Sequence, residues 1–155
     1  MNREKLVISI KAWLKKMKWQ YDFDADKSIF TMGVSLDGAI NKVSVVMPVK
    51  DSFYLVYVMS CIGCSDNMTE TIRFLTMANY GLINGNFEID VRDGEIRYKT
   101  YVNCSDMESL PEQIISDSVM CACHTFRKYS SGIAALCLNP KSSTPEDEIK
   151  KCEKR

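Results

Sequence analysis

The spacing of hydrophobic residues along this chain switches repeatedly between two periods, and that alternation limits the folds open to it. Leu6, Ile10, Trp13, Leu14 and Met17 recur at steps of three and four, the stripe of an amphipathic helix, with lysines 5, 11, 15, 16 and 18 on the other faces. The period then falls to two. Tyr21, Phe23 and Ala25 alternate with Asp22, Asp24 and Asp26 in a short edge-like piece. Phe30, Met32, Val34 and Leu36 give a clear strand, followed by an Asp37-Gly38 turn in which glycine tolerates positive φ. Val43, Val45, Met47 and Val49 form the next strand. Lys50-Asp51-Ser52 then turns the chain into Phe53, Leu55, Tyr57 and Met59, which completes a three-strand meander.

The helical period returns after Ser65-Asp66-Asn67, a capping sequence, with Met68, Ile72, Leu75 and Asn79 sharing a face and Gly81 as the stop. Phe87, Ile89 and Val91, an Asp93-Gly94 turn, and Ile96, Tyr98, Thr100 and Val102 spell a hairpin. Ser109-Leu110-Pro111-Glu112 has a capping-box pattern. The helix it opens carries a seam of Ile115, Val119, Ala122, Phe126, Tyr129, Ile133 and Leu136, and Asn139-Pro140 should end it. The order is α-β-β-β-α-β-β-α, predicting an α+β fold: an antiparallel sheet with its helices packed on one face. Residues 1–139 are expected to form one domain. Residues 140–155 read as a charged tail, mobile or loosely docked, in which Thr144-Pro145-Glu146-Asp147 could start a frayed helix.

Twenty basic residues balance twenty acidic ones, so no field directs the chain to nucleic acid, and no apolar run is long enough for a membrane span or a signal peptide. A cytoplasmic protein is expected. The seven cysteines, odd in number and irregularly spaced, then read as reduced thiols.

The stretch Ala78-Asn79-Tyr80-Gly81-Leu82-Ile83-Asn84-Gly85-Asn86-Phe87-Glu88-Ile89-Asp90, continuing through Asp93-Gly94-Glu95-Ile96-Arg97-Tyr98-Lys99, resembles the YbjN family. That family carries a helix ending in Asn, a Gly-x-Phe-Glu-x-Asp strand, and an acidic-Gly turn into a strand with an Arg. The resemblance extends in element order up to the last long helix. It implies a fold like that of type III secretion chaperones, small and often dimeric domains that hold other polypeptides, in a family described as sensory-transduction regulators. It carries over no catalytic residue. Of the motif positions, Gly81 reads as a helix stop, Phe87 as core and Gly94 as a turn residue, whereas Asn79, Glu88, Asp90 and Arg97 are the polar members.

Cys61-Ile62-Gly63-Cys64 and Cys121-Ala122-Cys123-His124 together offer thiols and the chain's single imidazole. Zinc would accept such ligands, but on an intact helix Cys121 and Cys123 point about 200° apart, leaving Cys121 and His124 to face one ion. A Cys61–Cys64 redox pair would need the strand order of a thioredoxin-like unit, which is not the order here. No nucleophile elbow or phosphate-cradling loop accompanies His124. No enzyme activity and no cofactor are expected.

The third meander strand is apolar on both faces, with Phe53, Leu55, Tyr57 and Met59 on one and Tyr54, Val56 and Val58 on the other. A sheet covered on one side should be polar on the other. The expectation is therefore that Tyr54, Val56, Val58 and Val46 form an interaction face, unless the tail covers it. The function this predicts is a non-enzymatic protein-interaction domain, binding a protein partner or a second copy of itself as a homodimer, by apolar burial and backbone pairing at a strand edge. The alternative is a metal- or redox-responsive regulator built on the cysteines.

Overall fold

The computed structural model describes residues 1–139 and 141–154. Helix α1 (Arg3–Lys16) buries Leu6, Ile10, Trp13 and Leu14, as the stripe requires. Its first turn is closed by the Asn2 side chain, which accepts from the Lys5 N–H at 3.0 Å. At its other end Lys18 takes φ +57°, so that its N–H reaches Lys15 O and the Trp19 N–H reaches Leu14 O. That double closure normally places glycine where Lys18 stands.

Six antiparallel strands follow: β1 (Asp22–Asp24), β2 (Ile29–Ser35), β3 (Lys42–Pro48), β4 (Phe53–Gly63), β5 (Asn86–Ile89) and β6 (Glu95–Asn103). Their order across the sheet is β1-β2-β3-β4-β6-β5. Helix α2 (Met68–Tyr80) joins β4 to β5, and α3 (Glu112–Leu138) packs across β4 and β6. The antiparallel α+β expectation holds. Every member of the α3 seam from Ile115 to Leu136 is buried, and its Tyr129 and Phe126 join Phe87 and Phe74 in an aromatic cluster. Gly132 makes room for that cluster, since a Cβ there would lie 2.3 Å from the Phe74 ring.

Several local expectations are corrected. The β2–β3 connection spans residues 36–41 and is closed by Leu36 N–H on Asn41 O, and Gly38 is not among the positive-φ residues. Glycine fits there because a Cβ would meet Ser130 Oγ of α3 at 2.9 Å. In α2 the buried side chains are Thr71, Phe74, Leu75 and Ala78, while Ile72 faces solvent. Asn67 does not cap the helix with its side chain but donates to Leu136 O at 3.1 Å, tying the start of α2 to the end of α3. Gly81 adopts φ −94°, ψ −3°, a conformation open to any residue. The capping box of α3 does not form, because Pro111 occupies the cap position and has no side-chain acceptor. Val91 belongs to the β5–β6 loop rather than to a strand. Pro140, expected to end α3 with Asn139, lies outside the described residues.

The tail expected to be loosely held contains a docked helix, α4 (Pro145–Cys152), packed against α2 and α3. Thr144 caps it, Ile149 is buried, Arg73 pairs with Glu146, and the Tyr129 hydroxyl donates to Glu153 at 2.8 Å. Glu148, only 3% exposed, accepts from Lys151 Nζ at 2.6 Å and from Ser143. Burial pushes its carboxyl up, but Lys151 and Ser143 outweigh that and hold it below the ordinary value.

Candidate interaction face

A strand presents alternate residues to opposite faces, so the assignment of β4 turns on its parity. The structure reverses the expected one. Tyr54, Val56 and Val58 are each 0% exposed and form the core under α3. Phe53, Leu55, Tyr57 and Met59 are the half-buried residues of the opposite face. The deciding contact is polar. The Ser118 hydroxyl in the α3 seam donates to Ile115 O at 2.9 Å, leaving its oxygen free to accept from the Tyr54 hydroxyl at 3.0 Å. Burial pushes the Tyr54 phenol well up, against the lowering effect of that bond.

Val46, placed with the other three in the expectation, is on the outer face and stands opposite Tyr57. Leu55 stands opposite Tyr101, which is 53% exposed, and Tyr101 packs its ring 5.0 Å from that of Phe53. None of the described helices covers this face. An apolar row thus runs along β4, widened by Val46 on β3 and Tyr101 on β6. Tyr101 is not among the sequence candidates, although its alternation with the inward residues Ile96, Tyr98 and Thr100 places it on the outer face.

On one flank of the row the motif residues gather. The Arg97 guanidinium lies 4.5 Å from the Tyr57 ring centroid and donates through Nε to Glu88 at 2.8 Å, and Lys99 pairs with the same carboxylate. Burial pushes the Glu88 carboxyl up, yet hydrogen bonds and charge from Lys99 and Arg97 hold it below the usual range. On the other flank Thr31, Gly33 and Ser44 are small and open. The flanks are polar and the centre is greasy, the layout of a contact surface.

The sheet edges are poorly suited to backbone pairing with a partner. At the β5 edge the Asn79 carboxamide donates to Phe87 O at 3.0 Å and accepts from Phe87 N–H at 2.7 Å, occupying both groups that Phe87 would offer a further strand. At the opposite edge, β1 has three residues and two of them are aspartates, a known means of blunting an edge. The backbone pairing expected at a strand edge thus finds little opening at Phe87 or along β1.

The remaining motif residues are structural in this geometry. Phe87 is core. Asp90 accepts from the Arg92 backbone and side chain, which lower its pKa to about 2. Gly94 has φ +77°, and a Cβ there would lie 2.2 Å from Cys64 O, so both turn and close approach demand glycine. Glu88, Asp90, Arg92, Glu95 and Arg97 line a cleft of about 450 Å³, but Arg92 is paired with Asp90 and Arg97 with Glu88. Those pairs leave the cleft's cations already neutralised.

The cysteine candidates do not converge. Cys61 is exposed at the end of β4, whereas Cys64 is buried against Thr71 Oγ1 at 3.1 Å. Cys121 and His124 lie on the exposed side of α3. Among the described residues no three His, Cys, Asp or Glu side chains are grouped to hold a metal ion. Burial also pushes the Cys123 thiol up to about 11 and the Cys137 thiol up to about 12, which keeps both protonated and poorly nucleophilic.

No family model matches the chain, and no curated protein does. Solved structures with a similar fold include two of stated kind. One is YbjN from E. coli, proposed to be a transcription regulator, at 8% identity and a TM-score of 0.58, covering 81% of this chain and 92% of that one. The other belongs to the HopA1–SchA chaperone–effector complex, at 10% identity and a TM-score of 0.53, covering 83% of this chain and 95% of that one. At such identities the likeness establishes the fold.

Proposed function

We propose that this chain is a non-enzymatic, YbjN-like protein-interaction domain that holds another polypeptide, in the manner of a chaperone or regulator, on its uncovered sheet face. The observation that carries the reading is the row Val46, Phe53, Leu55, Tyr57, Met59 and Tyr101, aligned across three neighbouring strands on the face that none of the described helices occupies. Aromatic residues at the centre of a greasy patch, with an arginine on its polar flank, are what contact surfaces enrich. The chaperone–effector neighbour adds support, because the same architecture there occurs in a complex with a protein. A cytoplasmic setting goes with this reading, supported by seven free cysteines.

The test is affinity capture from cells with wild-type, Leu55→Asp and Tyr57→Asp chains, with Ile83→Asp as a control at an exposed position elsewhere. Circular dichroism first establishes that all four fold. Proteins held by the wild type and the control, and lost from both face variants, support the proposal. An unchanged set of captured proteins refutes it.

A further inference from the structure

The dimensions of the apolar row restrict what can lie on it. From Phe53 to Met59 the row follows β4 for about 20 Å, at roughly 3.4 Å per residue. Across β3, β4 and β6 it spans two strand spacings, about 10 Å. The footprint is thus long and narrow, on the order of 200 Å². A specific dimer of folded domains covers about 800 Å² on each partner. Stacking this face on its copy would therefore force the polar flanks, including Arg97, Lys99 and Glu88, into the contact.

The backbone of the occupant supplies the second restriction. A chain lying flat on a sheet face meets side chains rather than the sheet's N–H and C=O groups. An extended segment pressed flat there gains no backbone partners from the sheet, so each of its peptide groups that loses water goes unsatisfied. The edges that could have supplied partners are occupied by Asn79 on one side and blunted by Asp22 and Asp24 on the other. A helix satisfies its peptide groups internally. One of 13–14 residues is about 20 Å long and about 10–12 Å across, which matches the row in both directions.

We infer that the occupant of this face is a single amphipathic helix of three to four turns, contributed by a partner polypeptide and laid along β4 over Val46, Leu55, Tyr57 and Tyr101. This rests on the interaction-face reading and adds the conformation and size of the bound segment. Its apolar side, with residues at i, i+3, i+4 and i+7, meets the row, and its polar side stays in water.

The experiment displays two libraries of 14-residue peptides on phage. One is patterned with that helical spacing and the other with strict alternation, and both are selected against the full chain. Selected clones are then titrated against the wild type, Leu55→Asp, Tyr57→Asp and Ile83→Asp, and light scattering gives the chain's own oligomeric state. The expected result is enrichment of helix-patterned clones that bind at least about tenfold more weakly to Leu55→Asp and Tyr57→Asp and equally well to Ile83→Asp. Alternating clones that depend on Leu55 overturn the helix and leave the face reading intact. So does a dimer that Leu55→Asp converts to monomer. Clones indifferent to both face variants overturn the helix and the face together. A selection that enriches neither pattern overturns the helix, while the capture experiment decides the face independently.

Discussion

Replacing Asn79 tests the most specific polar contact of the motif region. Its carboxamide makes two hydrogen bonds to one residue, accepting from Phe87 N–H at 2.7 Å and donating to Phe87 O at 3.0 Å. Each neutral hydrogen bond contributes about 1 kcal/mol net. Alanine removes both but gains about 0.5 kcal/mol of helix propensity, because Asn79 stands in the last turn of α2. Water can also reach the half-buried edge. Asn79→Ala should therefore lower stability by about 1 kcal/mol, measured by urea denaturation at pH 7 with tryptophan fluorescence. Asn79→Asp should be worse at that pH. Its carboxylate can still accept from Phe87 N–H, but it faces Phe87 O and the negative end of the helix. Protonation restores a donor toward that carbonyl, so the folded-state pKa of this aspartate should be raised above its unfolded value of about 3.9. A raised value means that the contribution is present below the unfolded pKa and is lost as pH rises through the folded one. The stability gap between Asn79→Asp and wild type should thus narrow as pH falls toward 3.5. The reasoning fails if Asn79→Ala costs no more than Asn41→Ala at an exposed loop position, or if the Asn79→Asp gap is the same at both pH values.

Three further outcomes follow from the packing. Lys18 holds φ +57° at the exposed end of α1, so Lys18→Gly should raise stability by about 0.5 kcal/mol, the relief of left-handed strain less glycine's greater unfolded entropy; a fall in the denaturation midpoint would contradict this. Gly132→Ala gains about 1 kcal/mol of helix propensity but drives a Cβ to 2.3 Å from the Phe74 ring. Overpacking of about 1–3 kcal/mol should win, and the thermal midpoint should drop. Glu148 has a lowered pKa, so its contribution is present above the unfolded value of about 4.3 and is lost as pH falls through the folded one. Protection of the α4 amides, taken relative to their intrinsic exchange rates at each pH, should fall as pH drops below that unfolded value in the wild type, and Glu148→Gln should lose that fall.

The face and the edge together give this small sheet a division of labour. Asn79 closes the β5 edge against strand addition, which leaves the apolar row along β4 as the sheet's main sticky feature. A domain that presented both would be open to aggregation.

The sequence by itself determined most of the elements, their order and the faces of most of them, while β1 read only as an edge-like piece and α4 only as a frayed start within a tail. The α3 seam, the α1 stripe and the strand from Phe30 carry most of their hydrophobicity on one side, so period and burial coincide. It could not determine the parity of β4, where every residue from Phe53 to Met59 is apolar and either face would serve as core. That choice came from the tertiary structure, through the Tyr54–Ser118 hydrogen bond and the registers that place Val46 opposite Tyr57 and Leu55 opposite Tyr101. The docking of α4 and the plug formed by Asn79 were likewise invisible beforehand. Each depends on groups far apart in the chain, Tyr129 with Glu153 in one case and a helix end with a strand edge in the other, and local periodicity carries no record of which distant groups will meet.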